Sequence, residues 1–176
     1  MEGLIPKIIA WAEERNIVYG SNLEKETLKL VSKCGNLANY VAHDEVCTNA
    51  IGHCMIQMII ICRMRNINLN EYIKSTKNIS DQRVINSKFA ALLLFKNLGQ
   101  LAENISTNKN INADMGYLLI YLTAVITSLQ LSMKECVEYS FIEIKDLQEI
   151  MFDGVLIDQK NENYSIALAI IKSRKQ

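Results

Sequence analysis

The segment "HDEVCTNAIGHC", His43 to Cys54, holds both histidines of the chain and two of its five cysteines. His43 and Cys47 stand four apart, a spacing that puts two zinc ligands on one helical face. His53 and Cys54 are adjacent, so on a helix they point apart and cannot both join that face. A Cys–His nucleophile pair meets the same obstacle and has no orienting acid beside it. Lysines offer a second chemistry. Lys29, Lys33 and Lys96 could meet phosphates directly or sit on solvated helix faces, and Trp11, the sole tryptophan, could stack on a base or serve as core. Asn36, Asn49, Gln100 and Tyr117 could hydrogen-bond a ligand or pair with one another across a helix interface, since buried polar groups need partners. No G-x-x-x-x-G-K-[ST] phosphate loop is present.

The elements that must position these residues read as helices. One proline and seven glycines in 176 residues leave few breaks, and the long segments keep a 3.6-residue period. Pro6 suits a first helical turn, which starts a helix running to Arg15. Ser21 or Asn22 caps a second helix over 23–42, a third spans about 44–65, and "NINLNEYIKS" begins a fourth. "TKNISDQ" reads as a polar connector. In "GVLIDQKNENYSIALAII", two β-prone runs flank the turn-like "KNEN" and predict a terminal hairpin.

Adding 64 to a residue number returns the same frame without a gap. Leu28, Leu30, Gly35, Leu37 and Ala38 fall on Leu92, Leu94, Gly99, Leu101 and Ala102; Gly52 falls on Gly116, Ile56 on Ile120 and Glu71 on Glu135. Two mid-helix glycines in one register carry weight, because each costs about 1 kcal/mol against alanine unless something approaches closely. The expected architecture is all-α: a single domain over 1–176 with an N-terminal helix at 5–16, repeats at 24–77 and 88–141 and a tail at 150–176. Two tandem helix-pair repeats then face each other about a pseudo-twofold axis.

Nineteen basic and nineteen acidic residues cancel, which argues against nucleic acid or an anionic membrane as partner. The odd number of cysteines, mostly inside apolar runs, favours reduced core thiols and a cytoplasmic setting. "MEGLIPKII" lacks the basic start of a signal peptide, and "YLLIYLTAVITSLQL" falls short of the roughly 20 residues that span a bilayer.

The motifs "WAEERNIVYGS", "KLVxxxGxLA", "NAIGH" and "EIKDxxxxMxDGV" resemble, in order and spacing, the MazG-like all-α nucleoside triphosphate pyrophosphohydrolases, above all the short versions common in phages and low-GC bacteria. The resemblance runs from about Ile9 to Val155. It implies carboxylates on paired helices that hold Mg²⁺, which bridges a triphosphate and activates water. This chain departs from that pattern at each acidic slot. Ser32, Lys33 and Asn36 stand in the first trio, and Asn49 and His53 in the second-helix pair. The other repeat has Lys96, Asn97 and Gln100, then Ala113 and Tyr117, with Asp114 as a lone nearby acid. The late motif keeps Lys145 but carries Ile142, Leu147 and Glu149 at the family's other positions. Mg²⁺ demands oxygen ligands and compensating charge, so no metal or other cofactor is expected.

The expectation is a pseudoenzyme that binds or sequesters a nucleotide-type ligand, with Trp11, Lys29, Lys33, Asn36, Asn49, His53, Lys96, Asn97, Gln100, Asp114, Tyr117 and Lys145 as candidate contacts. In a phage, such a protein would act as a sponge for a nucleotide immune signal. Two alternatives stay open: a protein-interaction module without a small ligand, and residual hydrolysis through a site rebuilt on Asp114, Glu45 or Glu103. Homo-oligomers are usual in the family the chain resembles.

Overall fold

The computed structural model describes residues 1–76 and 86–174. The order is α1 (Leu4–Glu14), α2 (Ile17–Gly20), α3 (Leu23–Ala42), α4 (Thr48–Met64), α5 (Leu69–Ser75), α6 (Ser87–Ser106), α7 (Asn112–Ser128), α8 (Met133–Ile144), β1 (Glu149–Phe152), β2 (Val155–Asp158) and α9 (Tyr164–Arg174). The fold is all-α with a short antiparallel hairpin near its C-terminal end. No single described helix is long and apolar enough to cross a membrane. α7 with α8 reaches the required composition only as a pair bent by 101°, and α7 is largely buried among its neighbours.

The start and end of α3 reappear 64 residues later in α6, and those of α4 in α7. The chemistry of the ends repeats too. Asn22 accepts from the Lys25 amide at 2.8 Å, and Asn86 accepts from the Phe89 amide at 3.0 Å. Each side chain satisfies one of the amides a helix start leaves open. Both helices stop at a left-handed residue, Asp44 (φ 57°) and Asn108 (φ 52°). The following amides close back at 2.9 Å onto Tyr40 and at 2.7 Å onto Asn104, as in a Schellman end. Asn66 and Gln130 end α4 and α7 in the same way. Asp44 therefore terminates α3 and does not open α4, which begins four residues later at Thr48.

α3 packs on α4 and α6 on α7; α3 also packs on α6, and α4 on α8. Leu30, Cys34, Leu37 and Val41 are buried along α3, and Cys54 Sγ of α4 lies 3.8 Å from Cys34 Sγ. The mid-helix glycines mark crossings between the halves. A Cβ on Gly52 would collide with Ser140 and the Cys136 carbonyl of α8, and one on Gly116 would meet the Tyr72 ring of α5 at 2.9 Å. Each half thus receives the third helix of the other. Gly35 and Gly99 differ, having nothing within 4 Å of a Cβ. Gly52→Ala should therefore cost about 2 kcal/mol through forced separation of α4 and α8. Gly35→Ala and Gly99→Ala should each leave stability unchanged or raise it by about 0.5–1 kcal/mol. Thermal melts of the three variants check the contrast.

The hairpin lies upstream of its expected place. Its turn is Asp153–Gly154, with φ of 47° and 79°, joining Phe152 to Val155. Two positive-φ residues are what a two-residue I′ turn requires, and Asp-Gly supplies them. "KNEN" instead leads into α9. Ala167 and Ile171, four apart, bury against Ile150, so "YSIALAII" is helical. The hairpin is tied to the α1–α2 corner. Met151 N donates to Arg15 O at 2.8 Å, Asn16 Nδ2 to Met151 O at 2.8 Å and Gly154 N to Gly20 O at 2.7 Å.

Candidate functional site

Lys29, Lys33, Asn36 and Tyr40 recur at steps of four, three and four along α3. Asn49, His53 and Gln57 recur at steps of four along α4. Helical periodicity puts each set on one side of its helix, and together they wall a cleft. A hollow of about 210 Å³ is bounded by Trp11, Lys29, Lys33, His53, Gln57 and, from the hairpin side, Leu147 and Leu156. A second, of about 240 Å³, is bounded by Lys33, Asn36, Tyr40, Asn49 and His53. Lys33 and His53 line both.

Beneath the first hollow lies a carboxylate absent from the sequence-based candidates. Glu26 is wholly buried. Its Oε1 accepts from Ser21 Oγ at 2.6 Å and Lys29 Nζ at 2.8 Å, and its Oε2 from Gln57 Nε2 at 2.7 Å. Gln57 Nε2 also donates to the Glu26 carbonyl at 3.1 Å. The missed signal was positional: Glu26 sits four before Leu30, inside the core-facing stripe where an acid needs dedicated partners.

At the second hollow, Asn49 Nδ2 donates to Glu143 Oε2 at 2.8 Å, and Ser140 Oγ donates to Asn49 Oδ1 at 2.7 Å. His53 Nε2 stands 3.8 Å from the same Glu143 oxygen. Burial, reinforced by the Lys33 ammonium, lowers the His53 pKa from its ordinary 6.5, while Glu143 pulls the other way. Half-buried Lys33 makes no hydrogen bond or ion pair among the described residues.

Trp11 is both core and wall. Phe141 meets it edge-on with centroids 6.0 Å apart, and the Arg15 guanidinium lies 5.1 Å over its ring. Arg15 in turn donates to the Lys145 carbonyl at 2.6 Å and the Leu147 carbonyl at 2.9 Å, clamping the α8–β1 connection beside the cleft. The Trp11 Nε1–H is buried without a partner among the described residues.

Over 69 residues, 38% of this chain, the sequence is 35% identical to an uncharacterised 18.2 kDa protein from the rep-hol intergenic region of Haemophilus phage HP1 (strain HP1c1). The likeness is to a phage protein. The match spans 42% of that relative's length. No family model and no solved structure matches the chain.

The second-half candidates stand apart from the cleft. Lys96 is exposed on α6, and buried Asn97 donates back to the Leu93 carbonyl at 2.8 Å. Exposed Gln100 reaches Glu103 at 3.3 Å, buried Asp114 accepts from Asn104 at 2.8 Å, and Tyr117 is 52% exposed. The physical reason is what fills the equivalent slots. Where the first half has Glu26, Lys29 and Gln57, the second has Ala90, Leu93 and Tyr121. Lys145 points its ammonium toward Asp146, at 3.9 Å, although its carbonyl helps hold Arg15.

The residues do not fit the Mg²⁺ that the MazG-like resemblance implies. Among the described residues no three His, Cys, Asp or Glu side chains gather where one ion could take them. Around the cleft, both oxygens of Glu26 are already engaged, and Glu143 serves Asn49 and His53. The remaining polar wall holds two ammoniums, the Arg15 guanidinium, an imidazole, three amides and a phenol, with Glu149 as the one further carboxylate among the described lining residues; one carboxylate among such cations holds a divalent ion poorly. Thiol nucleophiles fare no better: burial pushes Cys62 up to about 12 and Cys136 to about 11, and Cys54, hydrogen-bonded with Cys34, is also raised.

The His53 environment gives a signed pH dependence. A histidine whose folded pKa is lowered stays neutral while the unfolded chain takes up its proton. Stability should therefore fall as pH drops below about 6.5 and level off once the folded-state pKa is passed. His53→Asn should flatten that stretch of the curve, measured by urea unfolding between pH 7.5 and 5.

Proposed function

We propose that this chain is a MazG-like pseudoenzyme that holds a nucleotide-type ligand and does not hydrolyse it. One observation carries the reading: Lys33, half-buried without an ion-pair partner among the described residues, stands beside a wall-lining imidazole at the junction of two hollows. An uncompensated ammonium in a half-buried site favours an anion, and lowered-pKa His53 can bind a proton when one arrives. Phosphate oxygens would meet Lys33 and His53. Asn36, Tyr40 and Asn49 would supply neutral hydrogen bonds, and the hollow beside Trp11, Ile56 and Gln57 would receive the flatter, less polar part of the ligand. At about 210 and 240 Å³, the two hollows together exceed the roughly 300 Å³ at which small-molecule pockets begin.

The phage relative supports a setting in which such binding is useful, namely sequestration of a nucleotide-derived immune signal in an infected cell. Mass spectrometry of small molecules released from the purified protein tests this reading. A phosphorylated nucleoside is expected in near-stoichiometric amount from the native chain and is lost with Lys33→Ala. Recovery of no phosphorylated compound, together with no nucleotide binding in vitro, would count against it.

A further inference from the structure

Gln57 is 6% exposed and lines the first hollow. Its amide nitrogen is committed twice to Glu26, donating to Oε2 at 2.7 Å and to the backbone carbonyl at 3.1 Å. Both partners are acceptors, so the amide cannot turn over. A flip would set the Gln57 carbonyl oxygen against a carboxylate and a carbonyl. The carboxylate is itself held in place by Ser21 and Lys29. Gln57 Oε1 therefore has one fixed orientation, and it accepts no hydrogen bond among the described residues. With Nε2 turned to the protein, Oε1 is the polar atom of this side chain left for the hollow.

The arrangement belongs to one half of the chain. At the positions 64 residues on, Ala90 replaces Glu26 and Tyr121 replaces Gln57, so the acceptor and its holder are absent together. Beside Gln57 the hollow is bounded by Ile17, Ile56, Ile60 and Trp11. A flat apolar body with hydrogen-bonding groups at its edge matches such walls. A nucleobase has that form, whereas a ribose carries hydroxyls around its rim.

We infer that Gln57 Oε1 is a specificity-determining acceptor that reads an N–H of the ligand's base, and that Glu26 is the residue positioning it. This rests on the nucleotide reading of the cleft. A base that fills the hollow excludes solvent from Oε1 and must bring its own donor. A base of the same outline without a donor leaves a buried carbonyl oxygen unpaired, which sites of this kind reject strongly. The inference also gives the buried carboxylate a role. A wholly buried Glu26 is expensive to keep, and fixing the direction of one amide is what it accomplishes here.

Isothermal titration of the full chain in EDTA tests this. The probes are the triphosphates of adenosine, guanosine, cytidine and uridine, with two donor-free counterparts: unsubstituted purine riboside triphosphate and the cytidine triphosphate analogue lacking its amino group. The counterparts have no base N–H and add no bulk, so a steric clash cannot mimic the result. The tightest natural triphosphate should bind about 10–100-fold more tightly than its counterpart. In Glu26→Leu/Gln57→Leu, which removes the acceptor and its holder together, that preference should shrink to about twofold or less. Equal affinity of natural and donor-free forms for the native chain overturns the inference and leaves the nucleotide reading standing. The native comparison decides this even where the double variant does not fold. A preference that persists in the folded double variant also overturns it, because the selecting group would lie elsewhere. Binding of none of the six overturns both this inference and the nucleotide reading.

Discussion

Gln57→Leu is expected to lower the stability of the chain by about 3 kcal/mol, the largest loss from any single side chain lining the cleft. The reason is Glu26. Its carboxylate is wholly buried, and Gln57 supplies the 2.7 Å bond to Oε2 and a further bond to the backbone carbonyl. Leucine has similar bulk and no donor, so the variant leaves one carboxylate oxygen without a partner in a dry site, while the Glu26 carbonyl keeps its helical bond. Removing both members tests the cause. In the double variant Glu26→Leu/Gln57→Leu the buried charge is gone, and part of the loss should return. Equal destabilisation of the single and double variants in urea unfolding would mean that packing, not an orphaned charge, explains the effect.

Lys33→Ala is expected to weaken binding of a phosphorylated nucleoside by about 10–100-fold and to raise the His53 pKa toward its ordinary value. Both effects follow from one ammonium. With ligand present, Lys33 loses its role as counter-charge; without ligand, it no longer disfavours the imidazolium. The chain has two histidines, so NMR titration can follow the His53 signal once it is distinguished from that of exposed His43. Conversely, a bound phosphate should raise the His53 pKa, so binding should tighten as pH falls and should take up a proton. A Lys33→Ala variant that binds nucleotides as tightly as the native chain would remove Lys33 from the site.

Much of the fold is readable from residue type and spacing. The α3 boundaries follow from Asn22 as cap and from the step pattern of Leu30, Cys34, Leu37 and Val41, and the 64-residue register extends to caps and left-handed stops. The hairpin was displaced because β-branched residues in "YSIALAII" outweighed the Asp-Gly dipeptide, which is the stronger local signal. The cleft was legible only in its first half. Repeat register says which positions correspond, but not what fills them. Lys96, Gln100 and Tyr117 occupy matching slots on a half where Ala90, Leu93 and Tyr121 replace the polar floor. Glu26 was missed for a related reason: its value comes from Gln57, 31 positions away on another helix, and no local pattern joins the two.

Isothermal titration of pyrophosphate and a nucleoside triphosphate, in EDTA and again with excess Mg²⁺, bears most directly on whether ammonium and imidazole have replaced a metal in this cleft. Micromolar binding that survives EDTA, with the triphosphate recovered intact, is the expected result. Binding that appears only with Mg²⁺, accompanied by release of pyrophosphate from the triphosphate, would contradict it.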